Sequence, residues 1–429
     1  MVLRPGSNTY NIWKEPPVPI YMNFYLFNWT NPQELNTKMP KLVEMGPYCF
    51  KETDEKTNIS WNQNGTVTFK RKRTWHFAPE LSNGTLDDLV TTLNPVSLSA
   101  ANSVRYWNYF MKKSLSMSMS TINQEVHVVR TVGELLFDGY TDPLLDIARK
   151  MPSIAGIDIP YDKFAWFYLR NESDIFEGVY NMDTGEDNIY KYGKLYNWNY
   201  SNNTSFYEGH CGSIKGTAGE LFPPELKKSN SIEMFSADLC RSLALKFNEE
   251  SIVRGINGYK YIGAEEVVDN GTLDSSNECY CDGQCVPSGV INVTSCRLGA
   301  PGFISFPHFL YGDAYYRNQV EGMNPDPDKH TLYLTLEPNT GIPLEVAARF
   351  QINLLLSPSD SISLYKNVPT IFFPMMWFEQ RVTISETLSL MLKFALYTPV
   401  AGPILSVTLI LIGLIILSAY IYMHIMHRR

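Results

Sequence analysis

Alternation of apolar and polar residues predicts β-strands along much of the chain. The clearest segments are "HTLYLTLE" (330–337) and "AARFQINLLL" (347–356), in which every second residue is apolar. Pro338 and Gly341 lie between them and predict a hairpin or a wide turn. Further strands are predicted at 66–77, 163–170 and 258–267.

Helical spacing of apolar residues is confined to three places. Residues 103–119 form the first, and their apolar side chains are expected to pack inwards or to lie at the mouth of an internal cavity. Residues 131–150 predict two short helices, broken at Gly139 and Pro143. Residues 385–397 predict a helix that continues into an apolar segment.

That apolar segment is long enough to cross a membrane. No charged residue occurs from Phe394 to Met423, and a helix of about 20 residues spans ~30 Å, the thickness of one bilayer core. Basic residues follow it, so the positive-inside rule predicts a cytoplasmic tail and an extracellular remainder. The expected organisation is an ectodomain at 1–398, a transmembrane helix at 399–423 and a tail at 424–429.

Composition excludes one class of partner. The 429-residue chain carries a net charge of −8, whereas a nucleic-acid-binding domain is usually basic. The one basic run, Lys70–Arg73, lies within the predicted strand 66–77 and is divided between its two faces, which predicts a solvated strand.

Sequons for N-glycosylation indicate passage through the secretory pathway. Ten N-x-S/T sequons occur, about twice the number expected by chance. They begin at Asn28, Asn58, Asn64, Asn83, Asn171, Asn199, Asn202, Asn203, Asn270 and Asn292.

Six clustered cysteines fit the same compartment. The spacing C-x-C-x₃-C-x₁₀-C at 279–296 does not match zinc-binding pairs, which favours disulfides over a metal site. Six cysteines allow 15 pairings, and the spacing does not choose among them. Cys49 is left over and is expected to be a small buried thiol. The six are Cys211, Cys240, Cys279, Cys281, Cys285 and Cys296.

Catalytic motifs are missing from the sequence. It has no G-x-S-x-G, H-E-x-x-H, P-loop or G-x-G-x-x-G pattern. The acidic turns at 183–187 and 324–329 lack the ligand spacing of a calcium loop. His210 beside Cys211 is interpreted as a surface residue next to a half-cystine. We therefore expect no enzyme activity, no metal and no cofactor.

Several long motifs resemble the class B scavenger receptors, and within them the croquemort-like insect subgroup. The motifs are "PIYMNFYLFNWTNPQE" (19–34), "EMGPYCF" (44–50), "RTWHFAPELSNGTLDD" (73–88), "GELLFDGYTDP" (133–143), "FPHFLYGD" (306–313) and "GMNPDPDKHTLYLTLEPNTGIPLEVAARFQINLLL" (322–356). The resemblance implies an α+β fold: a large antiparallel β-barrel ectodomain with a helical apex, an internal hydrophobic tunnel and transmembrane anchoring.

The resemblance also implies a disulfide pairing, and it has two limits. It pairs Cys211 with Cys279, Cys240 with Cys296, and Cys281 with Cys285.

The family carries a membrane span before the ectodomain, so an upstream apolar span is expected in the full gene. A fragment, an alternative start or a wrongly assigned gene start would explain this sequence. Fatty-acid-binding lysines of some vertebrate members fall at Thr121 and Asn123 here, so that role is not carried over.

The function implied by the resemblance is that of a plasma-membrane scavenger receptor. Its expected partners are lipids, lipoproteins, apoptotic cells and microbial surfaces, and it passes lipids through the tunnel to the membrane. One alternative is a co-receptor for lipophilic odorants, of the sensory neuron membrane protein type. A second is a transport receptor for a lysosomal enzyme. The tail lacks a dileucine sorting signal, which argues against this alternative. An ectoenzyme is a third and has no sequence support.

Ligand capture is expected at the apex. An acidic protein that binds anionic ligands needs a local cluster of positive charge. Lys112, Lys113, Arg149 and Lys150 are predicted to supply it, with ordinary solvated charges as the alternative interpretation.

Overall fold

One antiparallel sheet organises the molecule. The computed structural model describes residues 2–150, 161–281, 283 and 285–427. Within them, 13 strands form a single sheet in the order β7-β6-β3-β2-β1-β15-β14-β13-β10-β9-β8, with β12 paired to β14 and β11 to β12, while β4 and β5 form a separate ribbon. The strands are β1 (Ile20–Trp29), β2 (Leu42–Trp61), β3 (Thr66–Phe77), β4 (Leu89–Leu93), β5 (His127–Thr131), β6 (Val179–Asp183), β7 (Leu195–Trp198), β8 (Ile232–Ser236), β9 (Arg241–Val253), β10 (Ile256–Ile262), β11 (Ile291–Asn292), β12 (Gly302–Ser305), β13 (Tyr333–Leu336), β14 (Pro343–Leu356) and β15 (Ile371–Thr383).

The sheet curls into a nearly closed barrel because a short segment joins its two edge strands. Thr217 forms bridges with Lys194, beside β7, and with Met234 of β8. The Thr217 N–H donates to Glu233 at 3.1 Å, and its carbonyl accepts from Phe235 at 2.8 Å. Closure satisfies backbone groups that an open edge would leave unpaired.

Helices occupy the two ends of the barrel. β1 begins at Ile20, opposite Val382 near the end of β15, and α7 starts at Glu386. At the other end of β1, Asn28 accepts from the backbone N–H of Thr91 in β4, and α2 follows β4 directly. The helices are α1 (Asn8–Lys14), α2 (Pro95–Ser103), α3 (Tyr109–Thr121), α4 (Pro143–Lys150), α5 (Ala314–Arg317), α6 (Pro327–His330) and α7 (Glu386–His427), with short helical turns at Pro32–Glu34, Pro79–Leu81, Glu134–Asp138, Ile189–Lys191, Gly209–Gly212, Glu265–Val268, Ser275–Cys281, Ser295–Arg297, Pro307–Phe309 and Ser363–Tyr365.

Local capping explains why the helical apex is divided at residues 104–108. Asn94 accepts from the N–H groups of the first turn of α2, and Pro95 stands at its first position. Asn108 caps α3 in the same way, through Met111 N–H at 3.0 Å. The predicted helix 103–119 was therefore right for α3 and wrong before Asn108, where the chain turns.

Most of the predicted strands are confirmed, and one is wrong. β13 and β14 form the predicted hairpin, and 66–77 is β3. The segment 258–267 is a strand only to Ile262 and then becomes a helical turn. The segment 163–170 consists of turns with a single bridge at Phe164, because Trp166 and Phe167 donate their N–H groups to the helical turn at Glu134–Asp138.

The C-terminal helix is continuous. α7 includes both Pro399 and Pro403. Its segment Ala401–His427 spans 27 residues, the mean hydropathy of its most apolar 18-residue window is 2.7, and it is long and apolar enough to cross a membrane.

Candidate functional site

A large apolar cavity runs through the barrel. Its volume is about 1200 Å³, more than the ~300–1,000 Å³ typical of small-molecule pockets. Alternate residues of β14, including Ala348, Phe350 and Ile352, line it, and Phe378 of β15 lies opposite Phe350. The period-two alternation of these strands therefore places apolar side chains on the inner wall.

The cavity connects the two ends of the barrel. Towards the apex it is lined by Leu145 of α4 and by the segment 164–167. At the opposite end it is lined by Leu388 and Leu392, in the first turns of α7, and by Ile12 of α1. An apolar path thus leads from the helical apex to the start of the membrane-length helix, in the manner of the tunnel that the resemblance implies.

Charged side chains interrupt the apolar wall where β2 and β3 form it. Arg71 and Arg73 line the cavity, and their side chains are only 11% exposed. The prediction of a solvated strand is wrong for these two arginines, because they lie among carboxylates from distant parts of the chain. We call this group the polar cluster; it comprises Glu52, Asp54, Lys56, Arg71, Arg73, Arg170, Glu177, Glu220, Asp238 and Arg297.

Short ion pairs connect the buried members of the polar cluster. Arg73 Nε lies 2.7 Å from Glu177 Oε1, and Lys56 Nζ lies 2.9 Å from Glu220 Oε2. Burial opposes ionisation of Asp54, but the Arg71 guanidinium and the Lys56 ammonium hold the pKa of this carboxyl well below its usual range.

Glu52 differs from Asp54 in the direction of its pKa shift. Burial raises the pKa of Glu52 above its ordinary value, although Arg73, Gln380 and Trp75 act in the opposite direction. Gln380 Nε2 donates to Glu52 Oε1 at 2.8 Å, and Trp75 Nε1 donates to its other oxygen at 3.0 Å.

The apex presents aromatic side chains to solvent. Tyr106, Tyr109 and Phe110 are largely exposed at the start of α3, and Met117 is exposed further along it. The Arg105 guanidinium lies 4.6 Å from the centre of the Tyr106 ring, a cation–π arrangement.

The expected inward packing of the apex segment is confirmed for some of its residues. Val104 and Met119 are buried in the core, while the exposed aromatic residues Tyr106, Tyr109 and Phe110 point outwards. Sequence reasoning missed this surface, because helical spacing identifies a face but does not show which face is covered.

The four predicted ligand-binding cations lie on two helices. Lys112 and Lys113 lie on α3, where Lys113 Nζ is 5.6 Å from the Tyr109 ring centre and 3.4 Å from the carbonyl oxygen of Asp360. Arg149 lies on α4 and is exposed. The side chain of Lys150 lies outside the described residues.

Arg149 lies near the rim of the cavity. Tyr168, which lines the cavity, donates to Asp162 Oδ1 at 2.6 Å. This hydrogen bond lowers the pKa of Asp162, and the charge of Arg149 contributes to the shift. Arg149 is therefore associated with the cavity rim, and Lys112 and Lys113 with the outer apex.

Three disulfides tie together the cysteine-rich segments. Cys211 is bonded to Cys279, Cys240 to Cys296, and Cys281 to Cys285, with Cα–Cα distances of 6.0, 6.4 and 4.7 Å. These are the pairs that the resemblance implies.

The described part of the chain has one free cysteine and one group of residues close enough together to bind a metal. Cys49 is reduced and buried, and burial raises the pKa of its thiol to about 11. His210, Cys211 and Cys279 form the one group with metal-ligand proximity among the described residues. The two sulfurs are bonded to each other, so this group offers a single imidazole.

The sequon asparagines differ in accessibility. Asn28 is half-buried within β1 and accepts a hydrogen bond from Thr91 N–H at 2.9 Å. Asn270 and Asn292 are also half-buried. The remaining seven are exposed: Asn58, Asn64, Asn83, Asn171, Asn199, Asn202 and Asn203.

A stacked pair of buried histidines lies on the outer side of β15. The rings of His308 and His330 are 4.5 Å apart. The Nδ1 atom of each accepts a backbone N–H, from Asn324 at 3.1 Å and from Asp326 at 2.9 Å. Burial, together with the charge of His308, lowers the pKa of His330 to about 4.

Comparison with known proteins gives consistent matches over nearly the whole chain. A family model described as the CD36 family matches residues 1–424. The chain is 38% identical to Protein peste of Drosophila melanogaster over 420 residues, covering 97% of this chain and 75% of peste. It is 34% identical to Scavenger receptor class B member 1 of Cricetulus griseus, covering 88% and 73%. It is 33% identical to Lysosome membrane protein 2 of Homo sapiens, covering 93% and 82%.

Proposed function

Because the chain belongs to the CD36 family, we propose that it is a membrane-anchored scavenger receptor for lipid-bearing or polyanionic ligands. Its partners are lipoproteins, apoptotic cells and microbial surfaces, and it passes individual lipids to the membrane. The observation that carries this proposal is the apolar cavity of about 1200 Å³ that joins the apex to the start of α7.

The cavity fits lipid transfer for an energetic reason. Exposing an acyl chain to water costs about 0.8 kcal/mol for each CH₂ group. A lipid that moves along Phe350, Ile352 and Leu388 stays in contact with apolar side chains between the apex and the membrane helix. The barrel thereby removes most of the barrier that an unassisted lipid meets between a particle and the bilayer.

The proposed topology follows from α7. Residues 399–423 cross the plasma membrane, 1–398 form the extracellular domain, and 424–429 form the cytoplasmic tail. The glycosylation sequons and the disulfides support this orientation: seven sequon asparagines are exposed, and three disulfides lie in the ectodomain.

Capture takes place at the apex in this proposal. Tyr106, Tyr109 and Phe110 supply apolar contact, while Arg105, Lys112 and Lys113 supply positive charge beside them. Arg149 extends the positive charge along α4 towards the cavity rim, and Lys150, the fourth predicted cation, follows it in the sequence. Single exposed charges contribute only ~0–1 kcal/mol each, so the aromatic surface provides most of the affinity and the charges provide attraction over distance.

Blocking the cavity tests the transfer step. Ala348→Trp places a large ring inside the cavity wall, and Ile252→Trp places the same ring on the outside of β9 as a control. Cells expressing the full chain are given reconstituted lipoprotein that carries a fluorescent phospholipid. We expect A348W to bind the particle normally and to transfer little lipid, whereas I252W behaves like the wild type. Unchanged transfer by a folded A348W would refute passage through the cavity.

Removing charge tests the capture step. A variant with Lys112, Lys113, Arg149 and Lys150 all replaced by Gln is compared with the wild type on anionic phospholipid vesicles. Binding should fall at low salt and fall less at physiological salt, because screening already weakens the attraction. Equal binding at both salt concentrations by a folded, glycosylated variant would show that these charges take no part in capture.

A second candidate function is transport of a lysosomal enzyme. The observation that favours it is the 33% identity to Lysosome membrane protein 2 over 93% of this chain. Localisation of the full chain decides between the two: residence at the cell surface supports the scavenger receptor, and residence in lysosomes supports the transport receptor.

A further inference from the structure

Members of the polar cluster line the cavity beside its apolar wall. Glu52 lies opposite Ile20, at the start of β1. Gln380, which hydrogen-bonds to Glu52, lines the same cavity as Phe378 two residues earlier. Arg297 lies two residues before Gly299, whose carbonyl accepts a hydrogen bond from Asn102 of the apex helix α2. The charged wall therefore extends along the cavity towards the apex.

Three arginines of the polar cluster surround one carboxylate. The Asp238 carboxylate lies 2.6 Å from Arg170, 3.8 Å from Arg297 and 3.9 Å from Arg73. These guanidinium groups carry many more N–H donors than a single carboxylate can accept. Arg297 also donates to the backbone carbonyl of Asp238.

This arrangement is open to the cavity. The side chains of Asp238 and Arg297 are 35% and 34% exposed, and both line the cavity. Arg297 therefore presents N–H donors to the cavity, because Asp238 and one backbone carbonyl accept only some of the donors of its guanidinium group.

The charge balance favours an anion. The polar cluster contains five cationic and five acidic side chains. The excess of positive charge is local, because three guanidinium groups converge on the single Asp238 carboxylate beside the cavity.

We propose that Arg73, Arg170 and Arg297 form a head-group site that binds the anionic oxygens of an amphiphile, a carboxylate or a phosphate, while its hydrocarbon tail lies along the apolar cavity. Asp238 occupies the arginines when the ligand is absent and competes with it. This site makes the cavity selective for anionic over neutral amphiphiles. The inference rests on the proposed function, because it requires that the cavity accepts lipid.

Three probes with the same hydrocarbon chain separate the head group from the tail. Binding of labelled oleate, 1-oleoyl lysophosphatidate and oleyl alcohol to the purified, delipidated full chain is measured at equilibrium. We expect at least one of the two anionic probes to bind ten-fold or more tightly than the alcohol. Preference for oleate or for lysophosphatidate identifies carboxylate or phosphate as the better fit.

Two substitutions with opposite expected effects on the affinity ratio test the residues of the head-group site. Arg297→Gln should lower the affinity ratio of the anionic probe to the alcohol, and Asp238→Asn should raise it, because the arginines lose their internal competitor. Neither should change the binding of oleyl alcohol. Arg4→Gln, which breaks an exposed ion pair with Glu186, is the matched control and should leave the ratio unchanged.

The outcomes separate this inference from the proposed function. If none of the three probes binds, the proposed lipid cavity is wrong. If all three bind with the same affinity in the wild type, the cavity holds lipid but the head-group site does not exist. If the wild type prefers the anions and a folded Arg297→Gln keeps the full preference, the assignment to these arginines is overturned. The wild-type comparison stands even if Asp238→Asn does not fold.

Discussion

Replacing Tyr106, Tyr109 and Phe110 by Ala is expected to weaken ligand capture without weakening the fold. These side chains are 84%, 69% and 80% exposed. Full burial of a large apolar side chain is worth about 1.5–3 kcal/mol. We scale this burial energy by the three exposed fractions and assume that the rings insert to about half their depth in a lipid surface. The expected loss of binding free energy is then about 2–3.5 kcal/mol. This corresponds to a fall in affinity of about 30- to 300-fold.

Vesicle co-sedimentation with the full chain measures this loss, and thermal unfolding provides the check on the fold. Substitutions at exposed positions usually change the free energy of unfolding by less than about 0.5 kcal/mol, so the melting temperature should not move. The matched control replaces three exposed residues remote from the apex, Tyr190, Tyr200 and Ile252. Wild-type affinity in the apex variant, or an equal loss in the control, would refute capture by the apex aromatics.

Three further outcomes are expected. Glu379→Gln leaves the buried Arg349 uncompensated and should cost about 3–5 kcal/mol of unfolding free energy; a loss below 1 kcal/mol in denaturant titration would contradict this. The pKa of His330, lowered to about 4, implies stability that is complete above pH ~6.5 and is lost as the pH falls towards 4, by up to roughly 3 kcal/mol. His330→Asn should flatten that dependence, and an unchanged pH profile would refute the assignment. Peptide mapping should find glycan on Asn64, which is exposed, and none on Asn28, whose side chain is engaged within β1; glycan on Asn28 would contradict the structure.

The barrel could be predicted from the sequence because its wall obeys a local rule. Alternation along 347–356 correctly identified the strand and its apolar face, which lines the cavity, since each residue of a pleated strand points opposite to the next. The same reasoning failed at 163–170, whose aromatic residues favour a strand. Phe167 is buried in the core there, and its N–H bonds to Leu136. Tertiary contacts outweighed the local preference.

The polar cluster was only partly visible in the sequence. Arg71 and Arg73 lie on the same face of β3 as Val67, Phe69 and Trp75. This shared face was the one sign in the sequence that the two arginines could be buried. Their partners, such as Glu177 and Asp238, are more than 100 residues further along the chain. Spacing along the chain cannot reveal that such carboxylates converge, so the arginines were assigned to solvent.

The cysteine-rich segment and the head-group site are parts of the same structure. Cys240 follows Asp238 by two residues, and Cys296 immediately precedes Arg297. The disulfide between these cysteines joins the two segments that carry the acid and one of the three arginines. Fixing both segments before a ligand arrives reduces the ordering cost of binding.

Removing each of the two long-range disulfides should therefore have the same effect on stability and different effects on selectivity. The bonds Cys240–Cys296 and Cys211–Cys279 span 56 and 68 residues, and each contributes about 4 kcal/mol in the chain-entropy model. Replacing Cys240 and Cys296 by Ser should reduce the preference for oleate over oleyl alcohol, because the segments carrying the acid and the arginine separate. Replacing Cys211 and Cys279 by Ser should preserve that preference at a similar cost in unfolding free energy. Equal changes in the oleate-to-alcohol ratio in the two variants would show that the disulfide beside the site acts only on global stability.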